Sequence, residues 1–102
     1  MRTIASLLVI VGTFAAAPAF ADPELAQKKA CTACHAVDKK VIGPAFKDVA
    51  AKYAGDKEAV DKLAKKVQKG GTGVWGTAVM PANPQVSDAE AKELVTWILG
   101  LK

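Results

Sequence analysis

Ala30-Cys31-Thr32-Ala33-Cys34-His35 reads as C-x-x-C-H, the signature of covalent haem attachment, and it uses both cysteines and the single histidine of the 102-residue chain. On a helical turn, positions 31, 34 and 35 stand at i, i+3 and i+4, so two thiols and an imidazole share one face and can grip one flat cofactor. The thiols add to the two haem vinyl groups as thioethers, which places His35 beneath the iron as proximal ligand. Three other readings of the motif are weaker on chemical grounds. A redox dithiol belongs in a βαβ context, and no strand pattern is present. A tetrahedral zinc site needs four ligands, and the chain offers only three Cys or His. A disulfide across two intervening residues would close almost no chain entropy.

Toward the N-terminus, Met1 to Ala21 has the form of a secretory signal peptide. Arg2 is its positive start, Ile4 to Ala17 its apolar stretch and Ala19-Phe20-Ala21 its small-x-small cleavage site. Cleavage removes 21 of the 102 residues and leaves a domain of 81, residues 22–102. The apolar run is shorter than the ~20 residues of a bilayer span, and Pro18 breaks its end, so an uncleaved anchor is the weaker alternative. No cysteine stands at the cleavage site to take a lipid, and no second apolar stretch follows. The expected product is soluble and periplasmic, which fits the attachment of c-type haem outside the bacterial cytoplasm.

Without the leader, and so without Arg2, 13 lysines face 10 acids, a balance of about +3 that two haem propionates bring close to neutral. That excess is too small and too evenly interleaved to indicate nucleic-acid binding. A chain this short has difficulty burying enough apolar surface to offset its entropy, and such chains usually need a staple. Here the haem is the staple, so the apo chain is expected to fold poorly.

The mature chain shows helical patterning only. Asp22-Pro23-Glu24 is a helix start, with Asp22 as N-cap and Pro23 at the first helical position, and this helix should run to about the haem motif. Gly43-Pro44 marks a loop. Phe46, Val49, Ala50 and Tyr53 then recur at helical spacing until Gly55. Asp56 is the expected cap of a third helix through Val60, Leu63, Ala64 and Val67, which Gly70-Gly71 stops. Ser87-Asp88-Ala89-Glu90 is a capping box opening a last helix with Ala91, Leu94, Val95, Ile98 and Leu101 on its inner face.

Between the last two helices, Gly71 to Val86 is rich in glycine and proline, a long loop of the kind that carries function in small domains. At its middle stands Val79-Met80-Pro81. Met80 is the only methionine left once the leader is gone. A thioether is a soft ligand suited to low-valent iron, and His/Met ligation raises the reduction potential relative to two nitrogen ligands. Met80 is therefore the natural sixth ligand. The alternative is an ordinary gap-filler in the core, which most methionines are. The loop position, the stiffening proline and the absence of another histidine favour ligation, because lysine normally sits protonated in water.

The chain resembles the small bacterial monohaem class I cytochromes c, of the c-551/c-552 type, over nearly its whole mature length. The resemblance rests on Cys31-Thr32-Ala33-Cys34-His35, on Val41 to Ala50 (VIGPAFKDVA), on Gly73-Val74-Trp75-Gly76, on Met80-Pro81-Ala82-Asn83 and on Trp97-Ile98-Leu99. It implies an all-α class I cytochrome c fold, about four helices wrapped around one haem c bound through Cys31 and Cys34. It also implies that the Pro44 carbonyl accepts from the other imidazole nitrogen of His35, fixing the ring and raising its basicity. Trp75 resembles the family's indole that donates to a buried haem propionate, and Asn83 its amide near the methionine sulfur. The plainer readings are core packing for Trp75 and a turn residue beside Pro84 for Asn83.

Three departures stand out. Ala30 replaces a typical glycine at what the family pattern makes a crossing of the first and last helices, so a slightly wider or differently angled contact is expected there. Lys66 stands where some relatives carry a propionate-binding arginine, and an ammonium does not reproduce the guanidinium fork. Thr77 and Val79 replace prolines often found in the methionine loop, which points to a less rigid loop.

With His35 on one side and Met80 on the other, no coordination position is free for oxygen, peroxide or substrate. The expected function is single-electron exchange between Fe(III) and Fe(II) through an exposed haem edge, without catalysis. The rival class is a haem enzyme or gas sensor with an open or labile sixth site. Lys28, Lys29, Lys39, Lys40 and Lys47 bracket the motif, and some are expected to ring the exposed edge together with Ala33, Ala36 and Val79, steering encounter with acidic partners. The other reading is that these lysines solubilise a helical surface. Family analogy suggests a monomer with redox-protein partners: a quinol-oxidising complex as donor, and a terminal oxidase or nitrite reductase as acceptor. No nucleic acid and no membrane insertion are expected.

Overall fold

A computed structural model describes Gly12 and residues 22–102; the proposed leader, Met1 to Ala21, lies outside the described residues apart from Gly12. Four α-helices follow in order: α1 Asp22–Lys28, α2 Phe46–Lys52, α3 Ala59–Lys69 and α4 Asp88–Leu99. No strand occurs among the described residues, only the isolated antiparallel bridges His35 to Lys40 and Gly71 to Met80.

α4 is the common partner, packing on α1, α2 and α3. Its start is the capping box expected from Ser87-x-x-Glu90. Glu90 N donates to Ser87 Oγ and Ser87 N to Glu90 Oε1, both at 3.1 Å, satisfying two helix-end donors reciprocally. Ala91, Leu94 and Val95 on its inner face are at most 2 % exposed. They meet Leu25 and Ala26 of α1 and Leu63, Ala64 and Val67 of α3, with Val86 closing the group from the loop before α4. Burying a leucine such as Leu94 contributes roughly 2 kcal/mol. Within α3 the inward face includes the fully buried Ala59, whereas Val60 is only partly covered.

Two boundaries differ from expectation. α1 ends at Lys28, short of the haem motif, because Ala30 adopts a left-handed backbone with φ 63° and ψ 19°. Cys31–Ala33 then forms a separate 3-10 turn. Ala30 is thus an exposed turn residue outside α1 and not part of a helix crossing; Ala26, 0 % exposed, is the small α1 residue in the core. α3 begins at Ala59, and Asp56 caps the turn leading into it, its Oδ1 accepting from Glu58 N at 2.9 Å. The end of α3 is as expected, with Gly70 at φ 76° and ψ −176°, a region essentially restricted to glycine.

Lys29 ties three segments together. Its Nζ donates to Gln85 O at 3.1 Å and pairs with Glu90 Oε2 at 3.3 Å, and its side chain is only 18 % exposed. It is therefore committed to the α1–α4 junction.

Candidate functional site: an apolar cleft between the motif turn and the methionine loop

The 3-10 turn keeps the three motif side chains together. Cys34 N and His35 N both donate to Cys31 O, at 3.2 and 3.0 Å, so residues 31, 34 and 35 belong to one turn. The chain then folds back. Gly43 N donates to Cys34 O at 2.7 Å and Phe46 N to Ala36 O at 2.9 Å, bringing Gly43-Pro44 under the imidazole. His35 Nδ1 lies 2.7 Å from Pro44 O, a bond that assigns the proton to Nδ1 and leaves Nε2 as the free lone pair. The ring is stacked on Phe46, with centroids 5.0 Å apart at 21°, and Phe46 in turn meets Trp97 edge-on at 5.5 Å.

Gly43 has a role that the sequence reading did not give it. A Cβ at this position would fall 2.8 Å from His35 Nδ1 and 3.0 Å from Nε2, and nearer still to Cε1. The imidazole can lie flat over the backbone only because position 43 has no side chain. The Gly-Pro pair was legible as a loop; that the glycine makes room for the ring was not.

Gly71 N donates to Met80 O at 3.0 Å and Met80 N to Gly71 O at 2.9 Å, so the two ends of the segment carrying Trp75 are pinned together. Asn83 fastens the loop to α3: its backbone N and its Nδ2 both donate to Val67 O, at 3.2 and 3.0 Å, and Nδ2 also donates to Pro81 O. Its amide therefore satisfies a helix-end carbonyl. A Cβ on Gly70 would meet Met80 O at 2.5 Å and Ala82 N at 2.8 Å, which explains why the loop can cross so closely over the end of α3.

Cys31, Cys34, His35, Pro44, Trp75, Met80 and Asn83 all line one cleft, floored by Phe46, Leu63, Val67, Leu94, Val95 and Ile98. All seven residues singled out in the sequence thus converge on one place. The cleft encloses about 1210 Å³ of empty space, its open mouth included. Ile42 and Val79 at its edge are 60 % and 68 % exposed. Large aliphatic side chains left this open beside an apolar cleft mark a surface built to be covered. Burial pushes the Cys31 thiol up from its ordinary value, with Cys34 adding in the same direction and a backbone hydrogen bond opposing. A raised thiol is a poor thiolate nucleophile, the reverse of what a redox dithiol needs.

The sequence profile of the Cytochrome c family matches residues 23–102. The chain belongs to the cytochrome c family. It is 58 % identical over 83 residues to cytochrome c-551 of Allochromatium vinosum, covering 81 % of this chain and 88 % of that one. It is 55 % identical over 97 residues to cytochrome c-552 of Hydrogenobacter thermophilus, covering 94 % and 95 %. The crystal structure of wild-type Nitrosomonas europaea cytochrome c552 superposes with a TM-score of 0.77 at 55 % identity, over 78 % of this chain and 99 % of that one. As a cytochrome c, the protein binds haem c covalently and serves electron transport, and the helical fold is that of class I cytochromes c.

The cleft fits that cofactor. Two cysteines and an imidazole stand on one turn at its wall, and the remaining lining is almost wholly apolar. Trp75 is half-buried in the wall, and its indole N–H has no acceptor among the described residues. Lys66, the residue that departs from the family pattern, lines the same cleft and lies against Gly71, where a Cβ would meet its Cε at 2.9 Å.

Proposed function

We propose that the protein is an exported, periplasmic carrier of single electrons, in which Cys31 and Cys34 would hold a haem as thioethers and His35 and Met80 would ligate its iron. When bound, the haem supplies reversible exchange between Fe(III) and Fe(II). The chain's own residues restrict it to that chemistry. Pro44 O holds the His35 proton on Nδ1, so Nε2 is presented as a neutral ligand of raised basicity. The Gly71–Met80 bridge and the Asn83 bonds hold Met80 at the cleft. Held in place, Met80 leaves no position for a small molecule. The apolar floor disfavours additional positive charge and so favours the reduced state. The observation that carries the reading is the presence of His35, fixed by Pro44, and of Met80, fixed by Gly71, in the wall of one cleft.

Residues Met1 to Ala21 are read as the cleaved export signal, leaving 22–102 as the haem domain. No helix among the described residues is long and apolar enough to cross a membrane. Redox proteins are the proposed partners, a quinol-oxidising complex as donor and a terminal oxidase or nitrite reductase as acceptor. Lys28, Lys39, Lys40 and Lys47 remain exposed near the motif and available for steering, whereas Lys29 is engaged elsewhere.

The test is the visible spectrum of the purified exported protein, oxidised and reduced, with carbon monoxide added to the reduced form. The expected result is a low-spin spectrum with a ferric methionine-to-iron charge-transfer band and no change with carbon monoxide. A high-spin spectrum or ready carbon monoxide binding would overturn Met80 ligation and turn the reading toward catalysis or gas sensing. An N-terminus other than Asp22 on the exported protein would overturn the cleavage site.

A further inference from the structure

Lys52, the last residue of α2, places its ammonium 5.4 Å from the centroid of the Trp75 indole. This distance is within the reach of a cation–π interaction, and tryptophan is the strongest of the aromatic acceptors. Trp75 sits in the segment between Gly71 and Met80, whose ends are pinned to each other, while Lys52 belongs to a different element. The contact therefore joins α2 to the middle of the methionine loop. No described hydrogen bond makes that connection.

We propose that Lys52 is a positioning residue for Trp75, holding the indole against the cleft wall and strengthening its N–H as a donor. The physical basis has two parts. A cation over the ring face draws π-density toward itself, leaving the N–H more positive and a better donor to an anion. The same attraction ties the ring to the end of α2, so it opposes swinging of the indole away from that helix. The proposal rests on the reading of Trp75 as the donor to a haem propionate. It assigns the local positive charge on this wall to Lys52, acting through the indole, while Lys66 provides a separate cation lining the cleft.

The experiment uses the haem-loaded protein in four forms: wild type, Lys52→Met, Lys52→Arg and Trp75→Leu, together with the Lys52→Met/Trp75→Leu double variant. Hydrogen exchange of the Trp75 indole N–H is followed by NMR, and the reduction potential is measured at fixed pH and ionic strength. Lys52→Met keeps an apolar stem of similar length and removes the charge. It is expected to speed indole exchange roughly two- to fivefold, the factor corresponding to an exposed cation–π contact. It is also expected to lower the potential, because a weaker indole donor leaves more negative charge on the propionate it would bond, and that favours the ferric state. Lys52→Arg restores both, since a guanidinium also stacks on an aromatic face.

In the Trp75→Leu background the Lys52→Met change is expected to leave the potential where Trp75→Leu put it. Unchanged exchange and potential in Lys52→Met, with a clear change in Trp75→Leu, would overturn the role of Lys52 and leave Trp75 as donor. A Trp75→Leu potential equal to wild type would overturn the donor reading itself. A Lys52→Met shift of the same size with and without Trp75 would show a direct charge effect and refute action through the indole.

Discussion

Ala30 is the one described non-glycine residue with positive φ, at 63°, and it immediately precedes the cysteine that anchors the haem. For an L-residue the left-handed region costs about 1–2 kcal/mol, because Cβ crowds the following carbonyl. Glycine escapes that cost, but gives back about 0.4–1 kcal/mol through the larger entropy of its unfolded chain. Ala30→Gly should therefore stabilise the protein by about 0.5–1 kcal/mol, which for a domain of this size raises the melting temperature by roughly 2–8 °C. The mirror experiment is Gly55→Ala. Gly55 has φ 78°, and a Cβ there would find nothing within 4 Å, so its cost is conformational alone. It should destabilise by about the amount that Ala30→Gly gains. Thermal unfolding of the haem-loaded variants, followed at the haem absorption band, measures both. A melting temperature for Ala30→Gly at or below wild type would refute the assignment of strain to position 30. An unchanged Gly55→Ala would refute the backbone accounting for both.

Gly43→Ala forces the His35 ring off the backbone, and loss of the Pro44 bond with overpacking should cost about 2–3 kcal/mol and shift the reduction potential; unfolding and voltammetry that match wild type would contradict the contact. Gly70→Ala combines a glycine-only backbone region with backbone clashes at Met80 and Ala82, so it should be worse than Gly55→Ala and should loosen Met80 enough to admit carbon monoxide. Glu90 is held below the usual carboxylate range by the Ser87 N–H first and by Lys29, and Asp56 by the Glu58 N–H first and by Lys62. Both carboxylates therefore contribute stability that is present at neutral pH and lost as pH falls from the ordinary carboxyl range through their lowered folded values. The unfolding advantage of wild type over Glu90→Gln should vanish in acid, and an advantage independent of pH would sink this account. If the exposed lysines steer partners, the bimolecular electron-transfer rate must fall as ionic strength rises, and a flat profile removes steering.

The parts of this protein that were legible in its sequence are those with a short-range chemical signature. C-x-x-C-H announced the cofactor because two thiols and an imidazole at that spacing serve few other purposes. The box at Ser87 and Glu90 and the glycines ending α3 marked helix ends to within a residue, because caps are made by side chains or by the lack of them. What was not legible depended on the conformation of single backbone units. Residues 27–35 carry no proline or glycine to interrupt a helix, yet the chain breaks at Ala30, against alanine's strong helical preference. Asp56 was recognised as a capping residue, but its turn stands ahead of the helix proper. Lys52 over Trp75 joins residues 23 positions apart, and no periodicity links them.

Backbone, more than side-chain packing, sets the geometry of the proposed iron ligands. His35 is oriented by the carbonyl of Pro44 and given room by Gly43. Met80 is paired by both of its peptide groups with Gly71, and the following turn is tied to the end of α3 through Val67 O. No substitution removes a peptide carbonyl, and only proline removes a peptide N–H, so this ligand frame does not depend on the exposed side chains around it. The departures Thr77 and Val79 lie inside the Gly71–Met80 closure, not at its hinges. Replacing either with proline should therefore rigidify the loop with little effect on whether Met80 binds, leaving the charge-transfer band in place. A Val79→Pro protein that lost this band would show that side-chain freedom within the loop, and not the bridge at its ends, positions the sulfur.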